Sequence, residues 1–174
     1  EDGTGALGDT VSAEPATDRV TFTLPPATVG YLIPWGTNAA SAVAEALREG
    51  VRIRAGGAEF TLGGRTYGVG TAIVRTAENG PTLAETLGRI TAQHGAEVVP
   101  IDDSYVQSGM SLGSRDVRAL REPRVMLVYD EPAATYSTGW ARYVLERRYG
   151  QRTTAVRASS LGRARLADYD VIVF

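Results

Sequence analysis

The chain has 174 residues, a formal net charge of -2 and no cysteine. A length of this size suits one domain or two small ones, and the charge argues against a nucleic-acid partner, which calls for a basic face. Without cysteine there is no disulfide, no thiolate nucleophile and no Cys-ligated metal, and no apolar run approaches the roughly 20 residues that a membrane-spanning helix needs.

Residues 1–18 are acidic, hold no basic residue and include Gly3, Gly5, Gly8 and Pro15. Such a stretch buries too little apolar surface to offset its ordering entropy, so it reads as a flexible acidic linker. Residues 19–121 read as a first α/β unit. Val20 to Leu24 alternates like a half-buried strand, stopped by Pro25-Pro26, and Val29 to Ile33 is a second strand. Ala39, Ala42, Val43, Ala46 and Leu47 recur at helical spacing, with Gly50 as a left-handed cap. Val51 to Arg54 and Thr71 to Val74 read as strands. Phe60 to Tyr67, broken by Gly63-Gly64, reads as a β-hairpin. Thr82 and Glu85 have the spacing of a capping box, and Leu83, Leu87, Ile90 and His94 follow on one stripe, ended by Gly95. Glu97 to Ile101 is a strand, and 102–116 a polar loop rich in Gly and Ser.

Residues 122–174 read as a second unit, β-α-β-α-β. Val125 to Tyr129 is a continuous apolar run, as expected of a parallel strand covered on both faces. A helix is expected from about Gly139 to Tyr149, with Trp140, Tyr143, Val144 and Arg147 on one side and Gly150 as its cap. Thr153 to Val156 is a strand, 160–167 a short helix and 171–174 a third strand. The fold class is therefore α/β with two β/α units, the second an incomplete doubly wound, flavodoxin-like parallel sheet. A parallel strand at 171–174 leaves that sheet unfinished, so the chain is expected to belong to a longer polypeptide.

Few residues suggest chemistry. His94 is the only histidine; it has no His or Cys partner for a common zinc site, and no G-x-S-x-G elbow is present. No catalytic residue, metal ligand or cofactor is therefore assigned within this chain. The stretch from Asp130 to Gly139 follows the first parallel strand and enters a helix. Backbone N–H groups at a helix N-terminus favour anions, which makes Thr135, Ser137, Thr138 and Gly139 candidate anion-binding residues. The pattern is loosely similar to the phosphate loop of flavodoxins. Against it, Ser and Thr also cap helices without a ligand, and Asp130 and Glu131 repel phosphate. Asp102-Asp103 and the Asp168, Asp170 pair read as solvated turn residues, and Trp35 as a packing residue.

Several stretches together resemble one family. They are Gly30 to Ala40, Gly70 to Val74, Ser111 to Ser114, and Pro123 to Gly150 with its Tyr129-Asp130-Glu131-Pro132 and Ser137-Thr138-Gly139-Trp140. They are similar to the region after the catalytic domain in large bacterial zinc carboxypeptidases of the carboxypeptidase A type, and the part from Arg124 to a class I glutamine amidotransferase-like domain. The family's H-x-x-E zinc motif and the amidotransferase cysteine are both missing here, so no catalytic residue carries over. The resemblance implies a non-catalytic accessory C-terminal region of a secreted or periplasmic zinc metallopeptidase. Zinc would belong to the parent, and the partner is the catalytic domain of that same chain. The alternative reading is a small-molecule or anion binding module using the loop after strand 125–129.

Overall fold

A computed structural model describes residues 23–174 and is mixed α/β, with three sheets. The expected linker over 1–18 lies outside the described residues. So does most of the strand expected over 20–24, of which Thr23 and Leu24 are irregular, with Leu24 buried.

The first unit is built around one strand. β1 (Gly30–Ile33) is fully buried, and it pairs antiparallel with β5 (Ala72–Arg75) on one edge and β6 (Val99–Ile101) on the other. β2 (Arg54–Gly56) and β8 (Val117–Ala119) extend the sheet in the order β6-β1-β5-β2-β8. Successive side chains of a strand point to opposite faces. Tyr31, Ile33, Ala72 and Val74 accordingly join the core under α1 (Thr37–Arg48) and α2 (Leu83–His94). Leu32 and Ile73 point the other way, into a core with Phe60, Leu62 and Tyr67. Those three belong to a small second sheet, β4 (Arg65–Tyr67), β3 (Phe60–Leu62) and β7 (Val106–Gly109). The unit is therefore three layers, helices over sheet over sheet. Both faces of β1 are covered, which is why its sequence is apolar without alternation.

Gly30 is obligatory in this arrangement. Its φ is +155°, and a Cβ there would lie 2.1 Å from the Val74 carbonyl oxygen across the β1–β5 ladder. The β3–β4 hairpin turns through Gly63 and Gly64, both at positive φ (59° and 76°), as a two-residue hairpin of the type I′ class requires.

Five expectations are corrected. The strand expected over Val51 to Arg54 begins only at Arg54; Val51 and Ile53 are buried but not laddered. Thr82 makes no side-chain cap. Its backbone (φ -84°, ψ 5°) is not the extended one that aims a cap hydroxyl inward, and α2 starts instead from a backbone turn, the Leu83 N–H donating to the Gly80 carbonyl. The polar loop over 102–116 contains β7, whose mostly exposed residues carry no alternation signal because its role is to add backbone hydrogen bonds to β3. The helix expected from Gly139 is α3 (Thr135–Tyr143), which begins four residues earlier and widens into a π-type turn over Val144–Arg148. The helix over 160–167 is two 3-10 turns, Ala158–Arg163 and Leu166–Asp168.

The second unit is a parallel sheet of β9 (Val125–Tyr129), β10 (Thr153–Arg157) and β11 (Val171–Val173) in the order β10-β9-β11. The first strand in sequence is thus the central one, and Val125 to Val128 are all buried.

Gly30→Ala is expected to destabilise the protein by at least about 2 kcal/mol, lowering the midpoint of thermal unfolding by roughly 4–8 °C. Gly113→Ala, where a Cβ meets nothing within 4 Å, should leave it unchanged. Differential scanning calorimetry of both variants checks this.

Candidate functional site

Parallel pairing puts the carboxyl ends of all three strands of the second unit on one side, with Arg157 level with Tyr129 and Val173 with Leu127. The chain leaves β9 for β10 on one flank, then crosses to β11 on the other. Where successive connections part in this way, the loops diverge and leave a crevice outside the strand ends. A cavity of about 370 Å³ lies there. After β9 it is lined by Glu131, Pro132 and Ala133, with Val128 as floor; after β10 by Ala158, Ser159 and Leu161; after β11 by Phe174.

The wall after β9 is shaped by local hydrogen bonds. Asp130 takes φ +73°, a conformation that Asp tolerates better than most residues. Its carbonyl accepts the Ala133 N–H at 2.8 Å, and its Oδ1 accepts the Glu131 N–H at 3.1 Å. α3 then starts at Thr135, and it is tied to β9 by one buried contact. The Thr138 Oγ1 donates to the Val128 carbonyl at 2.9 Å. At the end of β10, Arg157 Nε donates to Tyr129 Oη at 3.2 Å. That hydrogen bond, together with the nearby Asp130 charge, holds the guanidinium above its ordinary value.

The four candidate anion-binding residues do not converge. They lie within the first turns of α3, not in a loop ahead of it. Thr138 is turned inward and committed to Val128 and Ala134. Thr135 and Gly139 border a separate hollow on the outer face of α3, with Tyr136, Trp140 and Tyr143. Ser137 is exposed and makes no side-chain hydrogen bond to a described residue. The residues that line the crevice after β10, Ala158, Ser159 and Leu161, were missed by sequence reasoning. The signal was available: the strand end at Arg157 in a β-α-β unit marks the place where ligands of open parallel sheets bind.

Other singled-out residues have structural partners. The Asp102 carboxylate accepts the Thr28 N–H at 2.7 Å, which holds it below the usual carboxylate range. Asp103 accepts the Tyr105 N–H in a turn. His94 Nε2 lies 2.6 Å from Glu45 Oε2, bridging α2 to α1. Among the described residues no group of three or more His, Asp or Glu is placed to hold a metal. No described helix is long and apolar enough to cross a membrane. Trp35 packs against Gly70, and it lines a groove of about 390 Å³ between α1 and the second unit.

No family model matches the chain, and no curated protein or solved structure matches it.

Asp170 fastens the turn before β11 to the residues before β9. Its carboxylate accepts from Arg124 through the backbone N–H at 2.9 Å and Nε at 3.2 Å, and from Arg121 Nη2 at 2.5 Å. The Arg124 contacts depress its pKa from 3.8 to about 2, assisted by the Arg121 charge. A depressed carboxylate stabilises the fold above its unfolded pKa and loses that contribution as pH falls through the folded value. Asp170→Asn should therefore lower the unfolding midpoint by a constant amount above about pH 5, with the gap to wild type closing between about pH 4 and pH 2. Thermal unfolding across that range checks it; a gap unchanged at pH 2 contradicts the assignment.

Proposed function

We propose that the second unit is a small-molecule binding module, its ligand seated at the carboxyl ends of β9, β10 and β11. The observation that supports this best is the position of the 370 Å³ cavity. It has the volume of a small-ligand site, and it opens where the β9–β10 and β10–β11 connections part. The order β10-β9-β11 is that of the first three strands of a flavodoxin-like sheet, whose ligands occupy this same location. On this reading the unit is the opening half of such a doubly wound sheet. The loop after β9 serves the site through Glu131, Pro132 and Ala133, not through the hydroxyls of α3.

A second reading concerns context. Two of the stretches that resemble zinc carboxypeptidases, Gly30 to Ala40 and Gly70 to Val74, lie side by side as the β1–β5 ladder. The resemblance thus falls on packing residues, which supports a shared architecture more than a shared reaction. We propose that the chain is a non-catalytic accessory region of such a secreted or periplasmic peptidase, its binding module serving the parent's catalytic domain, where the zinc would sit.

Benzyl alcohol, a neutral ring-bearing probe, should shift the backbone amide resonances of 128–134 and 158–161 in an NMR titration and leave those of α1 and α2 in place. Ala158→Trp, which fills the crevice from the β10 side, should abolish those shifts without changing the circular dichroism spectrum. Shifts that persist in the variant, or that map to the first unit, refute the binding-module reading.

The peptidase context is checked by the intact mass and zinc content of the protein isolated from its native source. A mass well above 18.5 kDa with about one zinc per chain, as for a catalytic three-ligand site, is the expected result. A mass near that value without zinc removes the peptidase reading and leaves the binding module.

A further inference from the structure

The charges around the crevice narrow the class of ligand. Glu131 lines the cavity, and its carboxylate forms no ion pair with any described residue. Asp130, the residue before it, forms no ion pair with a described residue either, but Arg157 lies near enough to feel its charge. The Arg157 guanidinium is in turn held on Tyr129 Oη. The N-terminus of α3, which starts four residues after Glu131, adds roughly half a positive charge. Arg157 is thus balanced by Asp130, and the helix end offsets only part of Glu131. The mouth is left net negative. Hydroxyl donors do not reverse this, because the Ser159 hydroxyl that lines the cavity is neutral and Thr138 is turned into the fold. Apart from the Ser159 hydroxyl, the remaining lining is apolar: Val128, Pro132, Ala133, Ala158, Leu161 and Phe174.

We infer that the crevice takes a cationic amine on a ring-sized apolar body, with the ammonium beside the Glu131 carboxylate and the ring over Val128 and Leu161. This rests on the binding-module reading above and names the ligand class for the same site. An anion of equal shape meets the Glu131 carboxylate, a charge that the neutral Ser159 hydroxyl does not offset. A cation meets one unpaired carboxylate at the edge of a low-dielectric floor, where attraction is screened less than in open water.

The test uses two probes of matched shape and opposite charge, phenethylamine and 3-phenylpropionate, titrated into the 174-residue chain at low salt and followed by amide shifts of 128–134 and 158–161. The amine should bind roughly fivefold tighter, the size of a partly exposed charge pair. The preference should shrink at an ionic strength of about 0.5 M, and Glu131→Gln should bring the two affinities close to equal. Asp130→Asn, which keeps a residue tolerant of positive φ, should reduce the preference by a smaller factor. Equal affinities in wild type, or tighter binding of the carboxylate, with shifts still mapping to the crevice, overturn this inference and leave the binding module standing. A preference that survives Glu131→Gln unchanged overturns the role given to Glu131. Shifts from neither probe, or shifts mapping elsewhere, overturn both readings together.

Discussion

A strand covered on both faces has only its two edges left for hydrogen bonding, and each unit of this protein is organised by one such strand. β1 is sandwiched between the helices and the small sheet, and its edges are taken by β5 and β6. β9 is buried from Val125 to Val128, and its edges are taken by β10 and β11. Because buried backbone groups must be paired, the neighbours of these strands are not optional. The close approach at Gly30 follows from the first pairing. The position of the crevice follows from the second, since a first strand held in the middle forces later connections to leave on opposite flanks.

Arginine supplies much of the fastening around these strands. The Asp170 carboxylate is gripped by Arg121 and Arg124, which ties the segment before β9 to the turn before β11. Arg48 Nη1 at the end of α1 donates to the Tyr149 carbonyl at 2.7 Å, joining the first unit to the second. Glu78 is held by Arg54 and Arg75, which lowers its pKa. A planar guanidinium offers several donors in one fixed geometry, so a chain whose basic residues are all arginine has many such forks at its joints. The bias in composition need not arise from function to have this structural effect.

The crevice and the aromatic face of α3 show how a helix end is divided between structure and site. Only Thr138 of α3 is buried, and its hydroxyl is what anchors the helix to β9. A hydroxyl that closes a buried hydrogen bond with a main-chain carbonyl is not free for a ligand. The charged side chain that lines the crevice is Glu131, an acid with no ion pair to a described residue, so the charge balance there runs opposite to that of a phosphate loop.

Much of the secondary structure was legible from sequence. The apolar runs of β1, β5 and β9, the stripes of α1 and α2 and the Gly63-Gly64 hairpin all lie where periodicity and turn chemistry place them, because each signal is local. The parallel β-α-β character of 122–174 was legible for the same reason, from a continuous apolar strand followed by a helix and another strand. What sequence did not determine was pairing between distant segments. β7 and β8 are short, mostly exposed and without alternation, and they exist because β3 and β2 present open edges to them. The first unit reads as β/α from its order of elements, yet its sheet is antiparallel throughout, since strand direction is settled by which edges meet. The site follows the same division. Thr135, Ser137, Thr138 and Gly139 were singled out by residue type, but the rotation of α3 about its axis decides which of them face the strands. Only the side-by-side placement of three strand ends brings Glu131 to Ala158 and Leu161, because the crevice belongs to no single segment of the chain.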